Sequence, residues 1–289
     1  MTEHALQLPA PEPSARAAWR RFVPSPRHAL LLPLSLLMIT PLLWMLMTSI
    51  QTPAESRQFP PVLPSGIHWQ NYTDALNAAP FGRFFLNTAL VTGTCVLGNL
   101  LLCSVAGYAF ARFRFFGRDV VFVVILATLM VPFQVVMIPT FIIMKDLGLI
   151  DSLGALILPN LVTPFGIFLM RQFFRTLPID LEEAARIDGC SRLGVLFRIV
   201  LPLSGPALAT LAVITFLYSW NDFLWPLIAI QTDSHMTLQL GLSTFQGAHA
   251  TNWTLLMAGN VMATLPMLIA FVVAQRQFVS SIAAAGVKG

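Results

Sequence analysis

Charge is what this 289-residue chain lacks most: Asp, Glu, Lys and Arg make up 10% of it, against about 25% in an ordinary soluble domain. So few charges cannot cover a water-facing surface, which excludes a soluble globule and makes lipid the solvent for most of the chain. Lysine is nearly absent. Only Lys145 and Lys288 occur and neither follows a glycine, so the phosphate-cradling loop G-x-x-x-x-G-K-[ST] is missing and no ATPase site is expected here. Cysteine is scarce as well. Cys95 and Cys103 share one apolar run and Cys190 lies in a polar segment, which predicts free thiols and no disulfide framework. There is no Cys/His metal spacing and no Gly-x-Ser-x-Gly elbow. His235 and His249 stand apart in a polar stretch and are expected to be solvated. The chain is therefore read as a non-enzyme that holds no metal or cofactor itself. Its net charge of +4 is no nucleic-acid footprint, because the basic residues border apolar runs.

What is abundant is apolar sequence, 56% of the chain. Runs over 29–50, 84–110, 120–144, 153–173, 203–230 and 253–275 are each long enough to cross a bilayer as a helix. The first follows Arg16, Arg20, Arg21 and Arg27; it exceeds a signal-peptide core and lacks a small-x-small cleavage site, so it reads as a retained signal anchor. Of the 17 Lys and Arg residues, all but Arg57, Arg83 and Lys145 fall on one side. That side holds the arm 1–28, the connections 111–119 and 171–202 (with the loop itself at 174–202), and the tail 276–289, and by the positive-inside rule it is cytoplasmic. The prediction is an all-α polytopic membrane protein: six transmembrane helices over 29–275, with both termini cytoplasmic. Residues 51–80 and 231–252 become compact extracytoplasmic loops, and the second is long enough to touch a partner. Pro60, Pro61 and Pro64 oppose a long helix in the first.

Asp222, in "SWNDFLWP", is the exception to spans almost free of ionisable groups. A charge in hydrocarbon costs at least ~2.5–3.5 kcal/mol on insertion scales, so it should face a cavity or a partner. One reading puts Asn221 and Asp222 on a translocation path, with Trp220 and Trp225 as flat platforms for sugar rings. The other places the cluster at the outer interface, with the tryptophans in the aromatic belt. Both stay open. Asn87, Asn99, Gln134, Asn160 and Asn260 are expected mainly to form hydrogen bonds between helices. Interior prolines, among them Pro33, Pro41, Pro132, Pro139, Pro159, Pro164, Pro226 and Pro266, favour kinks.

The remaining anomaly is "EEAARIDGCSRLGVLFRIVLP", residues 182–202, a polar insert between two apolar runs. Asp180 with Glu183 suggests a capping box at the start of a short helix, and Gly189 its stop. Ser191 is placed to cap a second helix that Pro202 ends. Leu181, Ala184 and Ala185 fall on one face by helical spacing. From these residues alone an interfacial amphipathic loop and a docking element remain equally open.

Glu183-Ala184-Ala185, three residues, Gly189, nine residues, then Ile199-x-Leu201-Pro202 resembles the EAA motif of permease subunits in ATP-binding-cassette importers. "NYTDALNAAPFGRFFLNTALVT", "YSWNDFLWPLI", "TLQLGLSTFQG" and the terminal "QRQFVSSIAAAGVKG" are similar to the maltose-type, carbohydrate-uptake branch, specifically its six-helix subunit. Only the first 27 residues lack a counterpart. The resemblance implies a multi-pass protein of the bacterial inner membrane with a second permease, two ATP-binding subunits carrying ATP and Mg, and an extracytoplasmic solute-binding protein as partners. It further implies that Glu182, Glu183, Ala184, Ala185, Asp188, Gly189, Ile199, Leu201 and Pro202 form the ATPase-docking loop. The tail Gly286, Val287, Lys288 and Gly289 is implied to approach the ATPase interface. An ion-coupled secondary transporter and a non-transporting scaffold are the alternatives; the first needs a titratable relay that Asp222 alone barely supplies.

Overall fold

The computed structural model describes residues 26–247 and 251–286. The N-terminal arm up to residue 25, His249 and residues 287–289 lie outside the described residues. Among the described residues the architecture is all helical, with one isolated bridge between Gln246 and Thr251.

Four helices are long and apolar enough to cross a membrane. Helix α1 (Pro26–Ser49) is apolar on every side, and residues 30–44 are all exposed in the chain, as a lipid-facing or partner-facing helix requires. A short helix, α2 (Gln70–Ala78), follows the proline-rich stretch. Asn71 donates to the carbonyls of Ser49 and Gln51 at 2.9 and 2.8 Å, which closes the segment compactly against the end of α1. The second long helix is α3 (Phe81–Arg112), with a π-turn at Asn99–Cys103.

The expected span 120–144 is not one helix. It is α4 (Arg118–Met130) and α5 (Phe133–Asp146), bent by 106°. Pro132 drives Val131 to extended backbone (φ −85°, ψ 116°), since a residue before proline avoids the helical region. By contrast Pro33, Pro41, Pro139 and Pro266 sit inside helices that continue past them. The third long helical segment is α6 (Leu153–Thr176), interrupted ahead of Pro164, where Thr163 takes extended backbone (φ −118°, ψ 139°) and caps the second part by accepting the Gly166 N–H.

The polar insert forms α7 (Asp180–Ile187) and α8 (Arg192–Leu203). The expected end at Pro202 is corrected. The π-turn Leu196–Val200 loosens the hydrogen-bond ladder just ahead of the proline, so its missing N–H is tolerated and the helix stops at Ser204. There the chain turns by 83° into α9 (Gly205–Trp220). The expected span 203–230 is likewise broken at Asn221–Phe223 before the short α10 (Leu224–Ala229).

The segment after α10 differs most from expectation. It contains α11 (Leu238–Ser243), whose Leu238, Leu240 and Leu242 are buried. Asn87 donates to the carbonyls of Ser234 and Met236 at 3.0 and 2.9 Å, and Thr88 Oγ1 accepts the Leu238 N–H at 2.7 Å. Leu238 and Leu242 lie on one side of this helix and Leu240 on the other, so it is buried on both sides while polar α3 side chains take the loop's backbone groups. The fourth long helix, α12 (Trp253–Gly286), closes the chain against α1.

Candidate functional site

Helix α7 starts at Asp180, with Ile179 as its cap residue and no side-chain cap bond, so the expected Asp180 capping box does not form. Its end follows expectation. Gly189 takes φ +86°, Cys190 N–H donates to Ala185 O at 2.9 Å, and Gly189 N–H to Arg186 O at 3.1 Å, the paired bonds of a Schellman stop. Ser191 caps the next helix by accepting the Gly194 N–H at 3.1 Å. Arg192 then lies over the Phe113 ring, 4.8 Å from its centroid, pinning the second helix to the end of the α3 segment.

The expected common face of Leu181, Ala184 and Ala185 is split. Ala185 is buried together with Glu182, while Leu181, Glu183, Ala184, Ile187, Asp188 and Gly189 are exposed. Residues 181, 184 and 188 share one face by 3.6 periodicity, and 182 and 185 share another. The outward face presents apolar Leu181 and Ile187, the latter 86% exposed, around a small Ala184. Such a surface lets another backbone approach closely. Ile199 and Leu201 are half-buried and pack on the core, and Pro202 is exposed.

Glu182 points away from that surface. One carboxylate oxygen accepts from Arg112 Nε at 2.6 Å and the other from the Tyr108 hydroxyl at 2.8 Å.

The second site lies at the break after α9. A cleft of about 370 Å³ is bounded by Cys95, Asn160, Thr163, Tyr218, Ser219 and Asp222. A more open one of about 610 Å³ shares Ile214, Tyr218 and Asp222 and adds Gln134 and Asn221. Asp222 accepts one long bond, from Trp225 N–H at 3.4 Å, which leaves acceptor capacity facing the clefts. Neither cleft has Lys or Arg in its wall.

Of the four residues expected on a path, Asn221 and Asp222 reach these clefts, whereas Trp220 and Trp225 are buried. Their indole N–H groups donate to Ala263 O at 3.1 Å and Ala155 O at 2.9 Å, so both rings are packing elements and not platforms. The aromatic in the walls of both clefts is Tyr218, 73% exposed. Sequence reasoning grouped neighbours along the chain and missed it. Tyr218 lies on the last turn of α9 and Asp222 just past its end, so both line the clefts, while Trp220, two residues on from Tyr218, falls on another face of the helix. Asn99 meets its expectation, donating to Asn160 O at 2.7 Å and accepting from Thr163 Oγ1 at 2.7 Å. Asn160 and Asn260 instead bond within their own helices.

His235 lies 3.6 Å from the carboxylate of Asp151, which is held below the usual range by the backbone N–H groups of Gln231 and Thr232. The described residues contain no cluster of His, Cys, Asp or Glu able to hold a metal.

Residues 103–283 match the family described as the binding-protein-dependent transport system inner membrane component. The arabinooligosaccharides transport system permease protein AraQ of Bacillus subtilis is 38% identical over 89% of this chain and 92% of its own length. The sn-glycerol-3-phosphate transport system permease protein UgpE of Pectobacterium atrosepticum is 38% identical over 77% of this chain and 82% of its own. A bacterial ABC transporter involved in import of the acidic polysaccharide alginate shares the fold at a TM-score of 0.77 and 28% identity, over 92% of this chain and 99% of that one. With a motif-bearing polar insert between long apolar helices and matches of this extent, the chain belongs to the family of binding-protein-dependent transport system inner membrane components.

Proposed function

We propose that this chain is the six-span permease subunit of an ATP-binding-cassette importer, with both termini in the cytoplasm. It forms a heterodimer with a second permease, receives solute from an extracytoplasmic binding protein, and is driven by two subunits that bind ATP and Mg. In this reading the bent pair α4 and α5 counts as one span and α9 with α10 as another, and the tail from Gly286 through Val287, Lys288 and Gly289 lies near the ATPase interface.

One observation carries the proposal: the outward face of α7. A membrane protein that exposes Leu181, Ala184 and Ile187 beside a rigid glycine stop, on a segment flanked by arginines, offers a water-side surface that asks for a protein partner. Glu183 and Asp188 supply charge at the rim of that face. The solute proposed is a neutral sugar or polyol. Asp222, Tyr218 and Asn221 offer hydroxyl acceptors and an aromatic face, and the cleft walls lack the cation an anionic solute would need.

The test is co-purification of the complex with Ala184→Trp, a bulky change on the open face. Loss of the ATP-binding subunits, with the chain still in the membrane, is expected. Stoichiometric retention of both contradicts the docking role.

A further inference from the structure

Docking explains the outward residues of α7 and leaves Glu182 without a part. This carboxylate sits on the docking helix yet faces its own membrane domain, with both oxygens taken: Arg112 Nε at 2.6 Å and the Tyr108 hydroxyl at 2.8 Å. Arg112 also donates through a terminal nitrogen to Leu177 O at 2.9 Å, just ahead of α7. The Arg112 and Glu182 side chains are 12% and 8% exposed. A buried ion pair adds little net stability over well-packed apolar residues. What it does add is fixed direction, since a planar guanidinium and a carboxylate meet in few geometries.

The knot ties α7 to the cytoplasmic end of α3, and α3 leads to the clefts. Near Gly107, α3 packs so closely on α6 that an added Cβ would lie 2.9 Å from the Arg171 backbone nitrogen. Midway, Asn99 fastens the π-turn of α3 to Asn160 and Thr163 of α6. Further on, Thr92 Oγ1 lies 3.2 Å from Ser219 Oγ on α9. Cys95, Asn160, Thr163 and Ser219 are all wall residues of the inner cleft. Helices α3 and α6 thus form one bonded body with α7 at one end and the cleft at the other.

We propose that Glu182, Arg112 and Tyr108 are positioning residues that transmit movement of the docking helix to the α3–α6 body, and so to the solute cleft. This rests on α7 being the docking helix.

The test uses the whole complex in proteoliposomes, in a Cys95→Ala and Cys190→Ser background carrying Tyr218→Cys, with a membrane-impermeant maleimide as probe. ATP with vanadate is expected to change the labelling rate at position 218 by about fivefold or more, the lower end of usual coupling between sites. Single variants such as Glu182→Gln or Arg112→Met strand a buried partner and can fail to assemble. The pair Arg112→Met with Glu182→Met removes both charges and keeps the packing. In that pair the ATP-binding subunits should remain bound and hydrolyse ATP, while the labelling response falls to within about twofold of none. A full response in the Met/Met pair overturns the link, as does a flat response in the parent. Ala184→Trp separates the two readings. If it releases the ATP-binding subunits while the Met/Met pair responds fully, docking stands and the link falls. If it leaves binding and response intact, docking falls and takes the link with it.

Discussion

Trp225 and Tyr218 are both aromatic with a polar end, and they meet opposite fates. The Trp225 indole reaches Ala155 O at 2.9 Å inside the core, while Tyr218 is left exposed beside Asp222. Trp225→Phe removes that donor and leaves a buried acceptor, costing about 1–3 kcal/mol. A lower Tm of the purified complex with unchanged solute preference is the expected outcome. Tyr218→Ala should do the reverse, raising the KM for solute several-fold at constant Tm. Glu55 gives a pH prediction. Its carboxylate is held down to about 2, first by the Ser65 side chain and then by backbone N–H groups of Thr52 and Ser65. A depressed folded-state pKa means its stabilisation is complete above the ordinary glutamate value, about 4.3, and fades as the pH falls towards 2. Amide exchange at Thr52 and Ser65, corrected for its intrinsic pH dependence, should therefore accelerate only below that value, and Glu55→Gln should abolish the dependence.

Elements show where the sequence was legible and where it was not. The Gly189 stop and the Ser191 cap were readable because each is set by local chemistry: one residue at φ +86°, one hydroxyl three residues from its N–H. The bends were not. Hydropathy reports the length of an apolar run and is silent on its direction, so 120–144 looked continuous although α4 and α5 cross at 106°. Proline did not settle it either. Pro132 breaks a helix and Pro139 does not, because the outcome depends on whether the freed carbonyl and preceding residue find another arrangement. Burial of α11 depended on Asn87 and Thr88, some 150 residues away. Two glycine substitutions probe these elements. Gly189→Ala places a Cβ on left-handed backbone, costing roughly 1–2 kcal/mol, and should weaken ATPase association without loss of the chain from the membrane. Gly107→Val would press on the backbone of α6 and cost on the order of 1–3 kcal/mol, read as a lower Tm of the complex.

At the scale of the molecule, the exposed apolar surface defines what the chain needs around it. Leu36, Leu37 and Met38 of α1 and Val120, Val123 and Ile138 of α4 and α5 are 62–69% exposed, an apolar surface that lipid or another apolar chain must cover. The exposed apolar face of α7, proposed to lie on the water side, is a feature that lipid does not explain, and with it the account stands or falls. The most direct measurement is solute uptake into proteoliposomes across a panel of neutral oligosaccharides, with the binding protein outside and ATP enclosed. The account predicts uptake that requires the ATP-binding subunits, is stimulated by the binding protein, and is lost with Ala184→Trp. Uptake by this chain alone, driven by a proton gradient without ATP, would contradict it.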